Sequence, residues 1–280
     1  MTKIIADSCC DLSPELISRF GIDIVPLDVL IGQSNFKDGI TIHPPELFKM
    51  VSATGMLPKT AAPSLASFME HYQGSEDVIV LTIGSNLSAT YQNALLASKN
   101  VDRDGITVID SKNLSTGIGL LVLAAAEMNH QGLPANEIAQ SIQELVPKVR
   151  SFFVVDTLDY LYKGGRCSAV ELLVGGMLKI RPVIEVKEDG TLGVKRKVNG
   201  SRKKALISMV QDFADNLNKI DLHRVFITHT LMDEEEKDAW FLKEELTKIA
   251  RIDEILVTHA GSTIASHCGP DTIGILYLQK

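Results

Sequence analysis

Three short apolar runs, "KIIAD" at residues 3–7, "VIVLTI" at 78–83 and "ITVID" at 106–110, each lead through small polar residues into a segment with helical patterning. Apolar strands joined through helices must lie mainly parallel, in a sheet covered on both faces. In such sheets ligands sit beyond the carboxyl ends of the strands. This alternation fixes the first half as α/β.

The first helix is well delimited. Ser13 is a good N-cap, Pro14 suits the first helical position and Gly21 closes it, while Leu12, Leu16, Ile17 and Phe20 make one apolar face. "IDIVPLDVLI" reads as the next strand, "FKDGITI" carries an Asp-Gly turn signal, and "HPPELFKMVSATG" restarts a helix at its prolines. "MLPKTAAPS" reads as a loop before a helix bearing Leu65, Phe68, Met69 and Tyr72 on one side. A further helix, "SKNLSTGIGLLVLAAAEMNHQG", ends at Gly132.

Near residue 150 the pattern changes. "SFFVVD" is a strand, "TLDYLYKGGR" a short helix ended by two glycines, and "SAVELLVGGMLK" a small apolar helix. "RPVIEVKEDGTLGVKRKV" reads as a β-hairpin around Asp189-Gly190, which an all-parallel sheet would not contain. Helices at 201–219 and 233–250 and strands "RVFITH", "EILVTH" and "IGILYLQ" complete a mixed second sheet. We expect two α/β domains, 1–152 and 153–280, tightly packed because no Pro, Gly or Ser-rich linker separates them.

With 28 basic and 35 acidic residues the net charge is -7, which argues against broad binding to nucleic acid or anionic membrane and leaves at most transient membrane contact. "MTKIIADSCC" reaches polar residues too soon for a signal peptide, and no run approaches the ~20 apolar residues of a membrane span. A cytoplasmic chain is expected. Cys9, Cys10, Cys167 and Cys268 lack C-x-x-C spacing and read as reduced thiols rather than a zinc site. No metal or cofactor is called for.

"TIGSNLSATY" follows the second run and opens a helix, where free N–H groups favour anions. Ser85 is the natural N-cap, which leaves the Ser88 hydroxyl for a ligand. No G-x-x-x-x-G-K-[ST] or G-x-G-x-x-G loop is near, so the anion is a small head group. Thr60 in "PKTAAPS" is a turn threonine or a second ligand contact. Asp7, Ser8 and Asp11 read equally as turn residues, and Arg166 in "KGGRCS" as a solvated side chain or an anion clamp. His267 in "IASHCGPD" reads as a structural loop histidine or, held by a Gly-Pro turn, as a group that donates to an anion or moves a proton. Ser88, His267 and Asp7 also permit a Ser/His hydrolase, although the G-x-S-x-G elbow is absent. A binding module for a small phosphorylated metabolite is a further alternative. The basic segment "VKRKVNGSRKK" is a solvated face or meets a phosphate-bearing partner.

Taken in order, "DSCCDL", "KTAAPS", "GSNLSATYQNA", "DTLDYLYKGGRCS", "LLVGGMLKIRPVIEVKEDG", "KRKVNGSRKKAL" and "IASHCGPDTIG" resemble the signatures of the DegV family of fatty-acid-binding proteins. The resemblance implies two α/β domains with a long-chain fatty acid at their interface, its carboxylate on Thr60 and Ser88. It also implies a substrate-presenting subunit, not itself an enzyme, that offers the acid to a separate ATP-dependent fatty acid kinase in phospholipid metabolism. Arg166 and His267 then sit near the head group. The chain departs from the family pattern at Ala61, Ala62, Gly84 and Ala89, which bears on head-group geometry. The apolar helix "SAVELLVGGMLK", whose Gly175 and Gly176 leave room, is either a wall of the acyl tunnel or ordinary core.

Overall fold

The computed structural model describes residues 2–169, 180–233 and 235–280. A four-stranded parallel sheet has the order β2-β1-β6-β7, with β1 at Lys3–Asp7, β2 at Asp23–Val25, β6 at Val78–Thr82 and β7 at Ile106–Asp110. Every residue of β6 is buried, as an inner parallel strand covered on both faces requires. Alternate side chains divide between two cores. Val78, Val80 and Ile5 pack with Phe68, Tyr72, Ala94 and Ala97 on α3 (Leu65–His71), its end, and α4 (Thr90–Asn100). Ile79, Leu81, Ile4 and Ala6 face the opposite way, towards α5 (Thr116–His130).

A six-stranded mixed sheet follows the order β10-β9-β8-β13-β11-β12. Its strands are β8 (Val149–Val154), β9 (Ile180–Val186), β10 (Leu192–Asn199), β11 (Ile220–His229), β12 (Glu254–His259) and β13 (Ile273–Gln279). β9 and β10 form the expected hairpin, and only β11 and β12 are parallel. α8 (Arg202–Asp215) and α9 (Lys237–Ile249) cover one face through Met209, Phe213, Leu242 and Leu246. The other face gives Phe153, Ile184, Phe226 and Leu276 to the core that contains α5.

α5 therefore lies between the two sheets. Ile118, Leu120, Leu121, Val122 and Leu123 are all buried, which accounts for a run from Ile118 to Ala126 with no polar residue. One core runs through both halves. β8 begins the second sheet at Val149 and passes through residue 152.

A third sheet of three antiparallel strands, β4-β3-β5, comprises β3 (Asp28–Ile31), β4 (Ser34–Lys37) and β5 (Lys59–Ala61). Its Val29 and Ile31 pack with Leu47 and Phe48 of α2 (Pro44–Thr54) and with Ala265 of α10 (Ser262–Cys268). Two sequence expectations are corrected here. "IDIVPLDVLI" is not one strand: it breaks at Pro26, which has no N–H to give a ladder, and its halves join different sheets. "MLPKTAAPS" is not wholly a loop, because Lys59–Ala61 pairs with β3.

α1 (Pro14–Phe20) has the predicted caps: Ser13 Oγ accepts from Leu16 N–H, and Gly21 ends the helix at φ 61°. The expected apolar helix "SAVELLVGGMLK", with Gly175 and Gly176, falls almost entirely on residues 170–179, outside the described residues. Among the described residues no helix is long and apolar enough to cross a membrane. The basic segment divides between β10 and α8, where Arg196 and Arg202 pair with Asp212 and Asp238. Its charge is partly neutralised within the fold.

Candidate functional site

The site begins with buried carboxylates that tie strand ends together. Asp7, the last residue of β1, accepts from Cys9 N–H at 2.9 Å and from Ile83 N–H at 2.7 Å, joining the ends of β1 and β6. Asp11, in the left-handed region at φ 50°, accepts from Ser115 Oγ at 2.5 Å and Gly261 N–H at 2.8 Å. Asp38 accepts from Ser8 Oγ at 2.9 Å and Ser262 N–H at 2.7 Å. The last two carboxylates thus hold the start of α10. Burial pushes the Asp7 carboxyl up to about 7, against the hydrogen bonds from Ile83 and Cys9, and raises Asp11 and Asp38 as well.

α10 presents His267 to β5, where Thr60 Oγ1 lies 2.8 Å from His267 Nε2. Burial, and then the positive charge of Arg166, lowers the imidazole pKa to about 4. The ring is neutral at pH 7. Its Nδ1 is buried without a hydrogen-bond partner, and a Cβ added at Gly164 would lie 2.7 Å from it. Gly164 closes α7 (Asp159–Gly164), and Gly165 then turns the chain at φ 67°. Arg166 follows, donating from Nη1 to Gly164 O at 2.7 Å and from Nε to Leu87 O at 3.3 Å. Its guanidinium spans from the glycine beside His267 to the residue before Ser88.

The close approach at Gly164 gives a direct test. Gly164→Ala is expected to displace the His267 ring and cost about 1–3 kcal/mol, the usual penalty for overpacking. Chemical denaturation measures that cost, and an unchanged midpoint would refute the contact.

The turn after β6 corrects the reading of Ser85. α4 starts at Thr90, and Ser85 lies in the turn before it. Its Oγ donates to Asp110 Oδ2 at 2.6 Å and its N–H to Asp110 Oδ1 at 3.0 Å. It anchors the turn to the end of β7 and does not cap the helix. Ser88 Oγ lies 2.8 Å from Thr90 Oγ1 and accepts from Thr90 N–H at 3.3 Å.

Thr60, Ser88, Arg166 and His267 all line one pocket of about 240 Å³. Leu27, Ile83, Leu87, Leu114, Leu161, Leu192 and Ile264 supply its apolar wall. Leu114, Ile264 and Cys268 also line a smaller apolar slot bordered by Phe152, Phe153 and Leu276 of the second sheet. Ser88, His267 and Asp7 do not form a hydrolase triad. Ser88 Oγ pairs with Thr90, His267 Nε2 with Thr60, and both Asp7 oxygens with backbone N–H groups.

Sequence reasoning missed the supporting roles of Asp38 and Asp110. Asp38 was visible only as part of an Asp-Gly turn signal, and Asp110 only as a polar strand end. The apolar wall lies on six separate segments and carries no local motif.

Fold and pocket together define a class: a three-sheet α/β protein whose apolar pocket, fringed by hydroxyls, a neutral imidazole and a guanidinium, is lined from both halves of the chain. The chain belongs to the DegV family, since a family model described as an uncharacterised protein of that family matches residues 1–280. A DegV domain-containing protein from Caldanaerobacter subterraneus is 36% identical, over 99% of this chain and 98% of that one. Among solved structures, a fatty-acid-binding DegV family protein from Thermus thermophilus superposes with a TM-score of 0.91 at 29% identity, covering 100% of this chain and 99% of that one. A stearic acid-binding protein from Eubacterium ventriosum gives 0.89 at 29% identity, with the same coverage.

Proposed function

We propose that this chain binds a long-chain fatty acid, holds its carboxylate on Thr60 and Ser88, and presents it to a separate ATP-dependent kinase for acyl phosphate formation. The observation that carries the reading is the pocket: an apolar wall continued by an apolar slot, with Thr60, Ser88, Arg166 and His267 among its lining. Fatty-acid binding is what the names of the Thermus and Eubacterium structures describe for those proteins.

The neutral imidazole has a definite use in this reading. With its proton on Nε2, His267 donates to Thr60 Oγ1, and the orphaned Nδ1 is a lone pair rather than an unpaired N–H. The Thr60 hydroxyl proton is then free to turn toward a carboxylate. Arg166 is exposed and contributes charge at the rim, where a phosphoryl donor approaches. At ~0.8 kcal/mol per buried CH₂, a roughly sixteen-carbon tail gains on the order of 10 kcal/mol before ordering costs. The tail sets affinity, and the polar groups set register.

Solvent extraction of purified protein followed by mass spectrometry is expected to release a near-stoichiometric fatty acid and to give its chain length. Repeated preparations of folded protein that release no fatty acid, and that take up none when it is supplied, would overturn the reading.

A further inference from the structure

A second cluster of side chains stands apart from Thr60, Ser88, Arg166 and His267. His229 and His259 end the parallel strands β11 and β12 at the same register, so their side chains lie next to each other. The two rings meet edge to face with centroids 4.5 Å apart. Glu236, just before α9, reaches both: its carboxylate lies 2.8 Å from His259 Nε2 and 3.6 Å from His229 Nε2.

We propose that His229, Glu236 and His259 form a binding site for a divalent transition-metal ion of the zinc class.

Three observations support it independently. One ligand atom from each residue lies within 4.8 Å of the others, on three different segments of the fold. The two oxygens of the Glu236 carboxylate face one imidazole each, Oε1 at 2.8 Å from His259 Nε2 and Oε2 at 3.6 Å from His229 Nε2, so the carboxylate stands between both nitrogens. Second, the His229 side chain is 0% exposed and its Nε2 has no hydrogen-bond partner, because Glu236 stops short of it. The proton on that buried nitrogen is held by no acceptor, so an ion drawn to the adjacent carboxylate and second imidazole can replace it. Third, two imidazoles and one carboxylate suit zinc-class ions, whereas calcium and magnesium prefer all-oxygen sets.

Access and charge are also favourable. The His259 side chain is 67% exposed, so an ion can enter from solvent, and three protein ligands leave a coordination position for water. Asp233 adds negative charge nearby. Two existing interactions oppose binding. The 2.8 Å contact of His259 Nε2 with Glu236 needs a proton on that nitrogen, which an ion displaces to Nδ1 or solvent. Leu231 N–H donates to His229 Nδ1 at 3.2 Å, which puts the His229 ring proton on Nε2. The ion takes the place of that proton, Nδ1 receives it, and the long Leu231 bond gives way. The Leu231 amide is therefore a reporter of occupancy.

The test is calorimetric titration of tag-free, chelator-stripped full-length protein with zinc chloride. We expect one saturable equivalent, no saturable binding of magnesium chloride, and a shift of the Leu231 amide resonance. His259→Ala and Glu236→Gln, both outside the core, are expected to weaken binding about tenfold or more. His223→Ala removes the imidazole between Glu127 and Asp253 on another surface and should leave binding unchanged. Absence of saturable binding, undiminished affinity in either His259→Ala or Glu236→Gln, or loss of binding in His223→Ala would overturn the proposal.

Discussion

Thr60→Ala combined with Ser88→Ala is expected to weaken fatty-acid binding by about 3 kcal/mol or more, roughly two orders of magnitude in Kd. Each hydroxyl in the proposed complex donates to a carboxylate, and such hydrogen bonds contribute about 1.5–3 kcal/mol apiece. The fold should tolerate both changes. Thr60 lies on the three-residue strand β5, held to β3 through its backbone, and Ser88 precedes α4, so only the bonds to His267 and Thr90 are lost. Displacement of a fluorescent fatty acid measures the affinity, and circular dichroism monitors the fold. Full affinity in a folded double variant would remove both residues from the site.

The second large effect concerns pH. The pKa of His267 is about 4 in the folded protein and near 6.5 when unfolded, so between these values the unfolded chain binds the proton first. Stability contributed by the neutral ring is present above pH 6.5 and is lost as pH falls toward 4. Full passage through that window corresponds to about 3 kcal/mol at this site. Asp7 acts in the opposite direction: its folded pKa of about 7 is raised, so acidification from neutral pH relieves the cost of its buried charge. The raised Asp11 and Asp38 act like Asp7, and His229, lowered to about 4, acts like His267. Wild-type stability against pH therefore blends opposing contributions. The informative quantity is the difference between wild type and His267→Gln. Urea titrations should show the variant gaining about 2–3 kcal/mol relative to wild type between pH 7 and pH 4.5. A pH-independent difference would mean that His267 is not a buried neutral imidazole.

Much of the fold was legible because its signals are local. Strand runs ending in Asp or Thr, the Ser13 and Gly21 caps, and the Asp189-Gly190 hairpin turn all act within a few residues, and the structure has each of them. The convergence of Thr60, Ser88, Arg166 and His267 on one pocket was implied by the family resemblance; read singly, Thr60, Arg166 and His267 each had an ordinary structural role as an equal alternative. What escaped depends on partners far along the chain. Asp38 holds Ser262 across 224 residues and Asp11 holds Gly261 across 250. Ser85 has the local appearance of a cap, yet Asp110, 25 residues later, takes its hydroxyl. The break at Pro26 was visible as a proline, but the sequence does not state that the two halves of that run enter different sheets.

The position of α5 limits how a ligand can enter and leave. Binding proteins that open on a hinge have halves with separate cores, joined by a thin connection. Here the helix between the sheets is apolar all round from Ile118 to Ala126, and its buried Ile118, Leu120, Leu121, Val122 and Leu123 belong to one core shared by both. Parting the sheets enough to bare one side of α5 would expose several of these at about 1.5–3 kcal/mol each. That approaches the ~5–15 kcal/mol that holds a typical domain folded. In the proposed function, exchange of the fatty acid is therefore expected to proceed through a local displacement at the pocket rim, with the two larger sheets staying together.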